Sequence, residues 1–164
     1  MKHWQQYGIE DRLDLLAMTS AAKGLPQLAV EKDWWVMMVL KALSSTRYAE
    51  YYSFKGGTSL SKGWQLIDRF SEDIDIALRR DGKFAISSTS NNQLAKVRRV
   101  ARHYIIRDLP QELEEQLSLM GVSDFEIEPV THLDKDGELV ELRATTHPSV
   151  ILVKYKSVLP DISE

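Results

Sequence analysis

Two aspartates one residue apart, in Asp73-Ile74-Asp75-Ile76-Ala77-Leu78, are the side chains of this sequence best placed to do chemistry. Side chains two apart on a strand point the same way, so the alternation puts both carboxylates on one face and Ile74, Ile76 and Leu78 on the other. Adjacent anions repel each other, and a hard divalent cation that prefers carboxylate oxygens relieves the conflict. Mg²⁺, or Mn²⁺ in its place, is therefore the expected cofactor, with Asp73 and Asp75 as its ligands and as the catalytic pair. A solvated edge strand also satisfies so short a pattern. What distinguishes this one lies upstream, where Gly56-Gly57 sits between a short aromatic strand and a helical segment. Glycine lets a ligand approach the backbone there, and the first amides and dipole of a helix starting at Thr58 or Ser59 receive phosphate. Lys62, four residues after Thr58, shares that helical face and can reach a phosphate oxygen. Gly56, Gly57, Thr58, Ser59 and Lys62 thus form the expected nucleotide-binding set, and with Asp73 and Asp75 they describe a nucleotide site.

The elements that must position these residues follow from periodicity. Leu13, Leu16, Ala17 and Ala21 recur at helical spacing before Lys23-Gly24, and a second, nearly all-apolar and therefore central helix runs from Pro26 to about Ser44. A strand at Tyr51 to Phe54 leads into the glycine turn, and a helix from Ser59 to Ile67 carries Leu60, Trp64 and Ile67 at helical spacing, which favours packing of Trp64 in the core over stacking on a base. After the Asp73 to Leu78 strand come a turn at Arg80-Asp81-Gly82, a polar loop from Ser87 to Asn92 and a helix from Gln93 to Asp108 that Pro110 interrupts. An amphipathic stretch from Gln111 to Met120 ends at Gly121. Phe125 to Val130 and Glu138 to Ala144 read as strands around the turn at Asp134 to Gly137, and Val150 to Tyr155 as a last strand. The order predicts an α+β domain, a mixed sheet with flanking helices and an N-terminal helical pair. Residues 1–164 read as one domain, with N-terminal helices over 1–48 and the catalytic sheet and helices over 49–164.

Composition narrows the function classes. The 164 residues contain no cysteine, which removes disulfide scaffolds, thiol nucleophiles, thiolate zinc and iron–sulfur chemistry and points to the cytoplasm. A net charge of −3 gives no global pull toward nucleic acid or anionic lipid. No apolar run approaches the roughly 20 residues needed to span a bilayer, so no membrane association is expected.

Phe54-Lys55-Gly56-Gly57-Thr58-Ser59-Leu60-Ser61-Lys62, followed by Arg69-Phe70-Ser71-Glu72-Asp73-Ile74-Asp75-Ile76, resembles the signature of the AbiEii/AbiGii-type nucleotidyltransferase toxins, a branch of the polymerase-β-like superfamily. Glu31-Lys32-Asp33-Trp34 resembles that family's entry into the helix before the first strand, and Ile151 to Tyr155 extends the likeness more loosely. The resemblance implies a nucleotidyltransferase fold in which Gly56, Gly57, Thr58 and Ser59 hold a nucleoside triphosphate and Asp73 and Asp75 hold metal. It also implies the toxin part of a toxin–antitoxin or abortive-infection system, a cognate antitoxin as protein partner and a tRNA end as acceptor. The family carries a third carboxylate on a later strand, beyond the stretch that Val150 to Glu164 resembles. The resemblance therefore implies an N-terminal fragment or truncated member, weak in transfer by itself.

The expected activity is metal-dependent transfer of a nucleoside monophosphate to an acceptor hydroxyl with release of pyrophosphate. Two alternatives stay open. One is a catalytically incomplete domain that binds nucleotide or antitoxin, and the other is an Asp-x-Asp glycosyltransferase, which has no need of the Gly-Gly turn. Glu126, Glu128, Glu138 and Glu141 are strand carboxylates that could replace the third ligand, though alternating Glu is usually a strand's solvated side. Lys96, Arg99, His103 and Arg107 form a stripe, read either as a solvated helix face or as an RNA-binding ridge. The four histidines show no zinc-ligand spacing.

Overall fold

The N-terminal apolar pattern becomes two helices, α1 (Ile9–Lys23) and α2 (Gln27–Leu43), in a computed structural model that describes residues 3–64, 71–79, 81, 84, 90–135, 138–142 and 149–160. Gly24 ends α1 in the left-handed region at φ 64°, donating its N–H to the Ser20 carbonyl, a conformation that favours glycine. Pro26 caps α2, as its missing N–H and fixed φ allow. α2 buries Glu31, Trp35, Val36, Val39, Ala42 and Leu43. Met37 is exposed, because α2 packs along one stripe and not all round as its apolar run predicts.

Strand β1 (Tyr52–Lys55) runs into the glycine turn, where a short helix α3 (Gly56–Thr58) continues as a wide turn over Ser59–Gly63. Strand β2 (Asp75–Leu78) pairs antiparallel with β1, so two segments separated by the glycine turn and its helix become one ribbon. The strand begins at Asp75, and Asp73 lies in the extended segment before it. Leu60 and Ser61 in their side chains, Ile67, Arg69, Phe70, Arg80, Gly82 and Ser87–Thr89 lie outside the described residues.

Pro110 does not break the next helix. α4 (Asn91–His103), capped by Ser90 Oγ accepting from the Gln93 N–H at 3.4 Å, passes into a π-helical turn (Tyr104–Asp108) and then α5 (Leu109–Leu119). Pro110 sits in the first turn of α5, where a missing N–H costs nothing, and the widened turn before it makes room for the ring. Gly121, at φ 77°, closes α5, with the Val122 N–H donating to the Leu117 carbonyl at 3.0 Å.

The C-terminal strands pair differently from the expected hairpin. β3 (Phe125–Val130) pairs antiparallel with β6 (Val150–Tyr155), Phe125 opposite Tyr155, while β4 (His132–Lys135) pairs with β5 (Glu138–Glu141). Two strands lie between Val130 and Glu141 where the sequence showed one, and Asp136, Gly137 and Ala144 lie outside the described residues. The molecule is α+β, and the strand pairings described are antiparallel. Its core joins Trp35, Val39, Ala42 and Leu43 of α2 to Tyr104, Leu109, Leu113 and Leu117, with Ile74, Ile76, Ile127, Val153 and Tyr155 packed on from the strands. No described helix is long and apolar enough to cross a membrane.

Candidate functional site at the glycine turn

The β1–β2 register brings the glycine turn and the aspartates together. Lys55, the residue before Gly56, is the cross-strand partner of Asp75, so the two side chains stand on one face of the ribbon. Gly56 has φ 66°, and a Cβ built on it would collide with an Asp75 carboxylate oxygen and lie 3.1 Å from its Cγ. Only a glycine lets the turn close over that carboxylate. Asp73 and Asp75 are both exposed, while Ile74 and Ile76 between and beyond them pack against the core. The alternation thus leaves both acids exposed, with the Asp75 oxygens against a backbone cradle that any larger residue at position 56 would fill.

Lys62 has a partner on α2. Its ammonium donates to the Asp33 carboxylate on α2 at 2.6 Å, and the preceding residue Lys32 pairs with Glu72 just before the aspartates. The Glu31-Lys32-Asp33 run therefore works structurally. Lys32 and Asp33 tie α2 to both arms of the site, and Glu31, wholly buried, accepts from Ser157 Oγ at 2.6 Å and from the Val158 N–H at 2.9 Å. The cation that does face the site is Lys55, which is exposed and makes no ion pair with a described residue. Its place opposite Asp75 is hidden in the sequence because it depends on strand register. Gly57 and Ser59 continue the turn on the backbone; the Thr58 side chain lies outside the described ones.

Among the described residues no three His, Asp or Glu side chains gather into a potential metal cluster. Glu128 is taken up by Lys154 of β6, whose ammonium pKa is raised by the hydrogen bond and charge of Glu128 and by Glu126. Glu138 and Glu141 lie on the β4–β5 hairpin. Lys96, Arg99, His103 and Arg107 are exposed along α4 and the turn after it, and none ion-pairs with a described residue. Trp64, expected in the core beside Leu60 and Ile67, is instead 71% exposed.

The family model described as "Nucleotidyl transferase AbiEii toxin, Type IV TA system" matches residues 39–157, which include β1, the glycine turn, β2 and the remaining strands. The chain belongs to the AbiEii nucleotidyltransferase toxin family. No curated protein and no solved structure gives a significant match. As a member of a toxin–antitoxin family, the AbiEii-type chain has an antitoxin as its system's partner.

In this AbiEii-type domain the far end of β1 is held by a buried polar relay. Tyr52 Oη lies 3.0 Å from Thr46 Oγ1 and 2.9 Å from Tyr104 Oη, and Tyr104 donates to Glu112 at 3.1 Å. Arg47 closes the relay with a two-point grip on Glu112 and a bond to Asp108, its guanidinium 5.2 Å from the Tyr48 ring centre and 5.7 Å from that of Tyr104. Burial pushes the Tyr52 phenol pKa up, against the hydrogen bonds from Thr46 and Tyr104. Burial also raises Tyr104, helped by its bond to Tyr52 and by the nearby Glu112 charge. Both phenols therefore stay neutral hydrogen-bonding groups that fix β1, and with it the position of Lys55 and Gly56.

Proposed function

We propose that this chain transfers a nucleoside monophosphate from a nucleoside triphosphate to an acceptor hydroxyl, and that the acceptor is the end of a tRNA. The observation that carries this reading is the contact of Gly56 with the Asp75 carboxylate: the backbone cradle and the acid pair are one surface. Asp73 and Asp75 would hold Mg²⁺ or Mn²⁺, which supplies positive charge to the triphosphate when bound. Gly56 keeps the approach to the backbone open, and the first amides of the turn, those of Gly57 and Thr58, would donate to phosphate oxygens, while the Ser59 N–H closes the turn on the Gly56 carbonyl. Lys55 adds a point charge on the same face, and Lys62, through Asp33, holds the turn to α2. The oxygen of the acceptor hydroxyl would form a bond to the α-phosphorus as the bond from that phosphorus to the bridging oxygen breaks; pyrophosphate leaves with the electron pair and the hydroxyl proton passes to water. The protein contributes position and charge neutralisation. The reaction takes place in the cytoplasm, where triphosphates and tRNA are found.

Calorimetry with Mg²⁺ and each nucleoside triphosphate tests the site, and labelling of bulk tRNA from an α-labelled triphosphate tests the transfer. The Asp73→Asn, Asp75→Asn double variant should lose binding by 100-fold or more, on the order of 3 kcal/mol, measured on protein whose circular dichroism matches the parent's. Equal affinity of parent and double variant would show that the site lies elsewhere. Binding without labelling would favour the incomplete, binding-only reading.

A further inference from the structure

Three of the four tryptophans form one aromatic chain, and the fourth stands apart. Trp4 lies 5.1 Å from Trp34, Trp34 lies 5.1 Å from Trp35, and Trp35 stacks on Tyr155 at 4.6 Å. Trp64 has no ring or cation partner among the described residues and is 71% exposed, although its backbone is held by an N–H bond to the Ser59 carbonyl at 3.0 Å. An indole is the largest apolar surface a protein can leave in water, and leaving it there costs on the order of 2 kcal/mol relative to burying it. Its position is specific. It ends the same helical turn that begins at Gly56, at most about 12 Å farther along by helical rise, a span comparable to an extended nucleoside triphosphate from phosphates to base.

We propose that Trp64 is the stacking platform for the nucleobase of the triphosphate whose phosphates lie on the Gly56 turn. The assignment rests on the nucleotidyltransferase reading and adds to it a base subsite that tolerates every base, since each presents a π face. Purines stack over more area than pyrimidines, so affinity should fall from purine to pyrimidine triphosphates. The flanking Lys62 is committed to Asp33, which fixes the backbone from which the indole projects.

The test compares nucleoside triphosphates with inorganic tripolyphosphate, both with Mg²⁺, on the full chain and on Trp64→Ala and Trp64→Phe. The expected result is that the parent binds ATP about tenfold or more tighter than tripolyphosphate. Trp64→Ala should bring ATP down to the tripolyphosphate level while leaving tripolyphosphate unchanged, and Trp64→Phe should restore most of the difference. ATP should also quench the red-shifted emission of the exposed indole, a signal lost in Trp64→Phe. Parent and Trp64→Ala binding ATP equally, or ATP and tripolyphosphate binding the parent equally, would overturn the base platform and leave the phosphate site standing. Failure of both ligands to bind the parent would remove the phosphate site and the platform together. Unchanged Tm in Trp64→Ala confirms that a folded variant is being compared.

Discussion

The two ends of β1 lie within one short strand and are built on opposite principles. At Tyr52 the phenol is held in a relay through Thr46, Tyr104, Glu112 and Arg47 that joins the turn after α2, the π-helical turn and α5. At Lys55 the side chains are exposed, Lys55 itself is without an ion-pair partner among the described residues, and a glycine is forced into the left-handed region against a carboxylate. The contrast teaches how a small domain can hold a charged, open surface in register. Satisfaction is concentrated where the strand enters, so that the exit can remain available to a ligand. Stability and binding should therefore respond to different substitutions.

The largest expected stability effect lies in the packed half. Leu117 is fully buried in the core, and Leu117→Ala should cost about 2–5 kcal/mol in chemical denaturation. The folded fraction should bind nucleotide with parental affinity, and a loss of affinity in fully folded protein would erase the division between the two regions. Gly56→Ala probes the other side. Holding Ala in the left-handed region costs about 1–2 kcal/mol, and the new methyl displaces the Asp75 carboxylate, so nucleotide affinity should fall more than tenfold while Tm falls by only a few degrees. Undiminished affinity in Gly56→Ala would mean that the turn and Asp75 do not act as one surface.

The smallest effect is a pH dependence in the packed half. Tyr155 has its pKa pushed up to about 12 from 10.0, first by burial and then by the charges of Glu31 and Glu72. A raised folded-state pKa favours the neutral phenol, so this stabilisation is fully present below pH 10 and is lost as pH rises through about 12. Tyr155→Phe should flatten that part of the alkaline unfolding curve, monitored by circular dichroism, with no change in nucleotide binding at pH 7.5. The same alkaline slope in Tyr155→Phe would shift the titration to Tyr52 and Tyr104.

What was legible in the sequence was what depends on near neighbours. Asp73, Asp75 and the isoleucines beside them follow a period of two that survives folding, and the Gly24 and Gly121 helix ends are local backbone requirements. The pairing of Lys62 with Asp33 is not legible, because Asp33 is distant in sequence and helical spacing cannot report a partner on another helix. Lys55 was missed because cross-strand register is a property of the pair β1 and β2, not of either strand. The pairing of β3 with β6 instead of with its sequence neighbour is of the same kind. Pro110 was read as a break because the propensity rule assumes a regular helix, and the π-helical turn changes which amide is needed. Helical spacing favours Trp64 in the core over stacking on a base, but spacing identifies a helix face and cannot tell whether anything covers it.

The Glu31 contact also carries a consequence for the order of events during synthesis. Its carboxylate is buried by α2 early in the sequence and receives its two donors from Ser157 and Val158. Contacts of such long sequence separation pay their loop-closure entropy before any reward and form late. While the ribosome is still adding residues before Ser157, α2 holds an acid with no partner and its neighbours Lys32 and Asp33 brace a site that is not yet fixed. The nucleotide surface should therefore mature only after Ser157 and Val158 have emerged from the ribosome and reached Glu31.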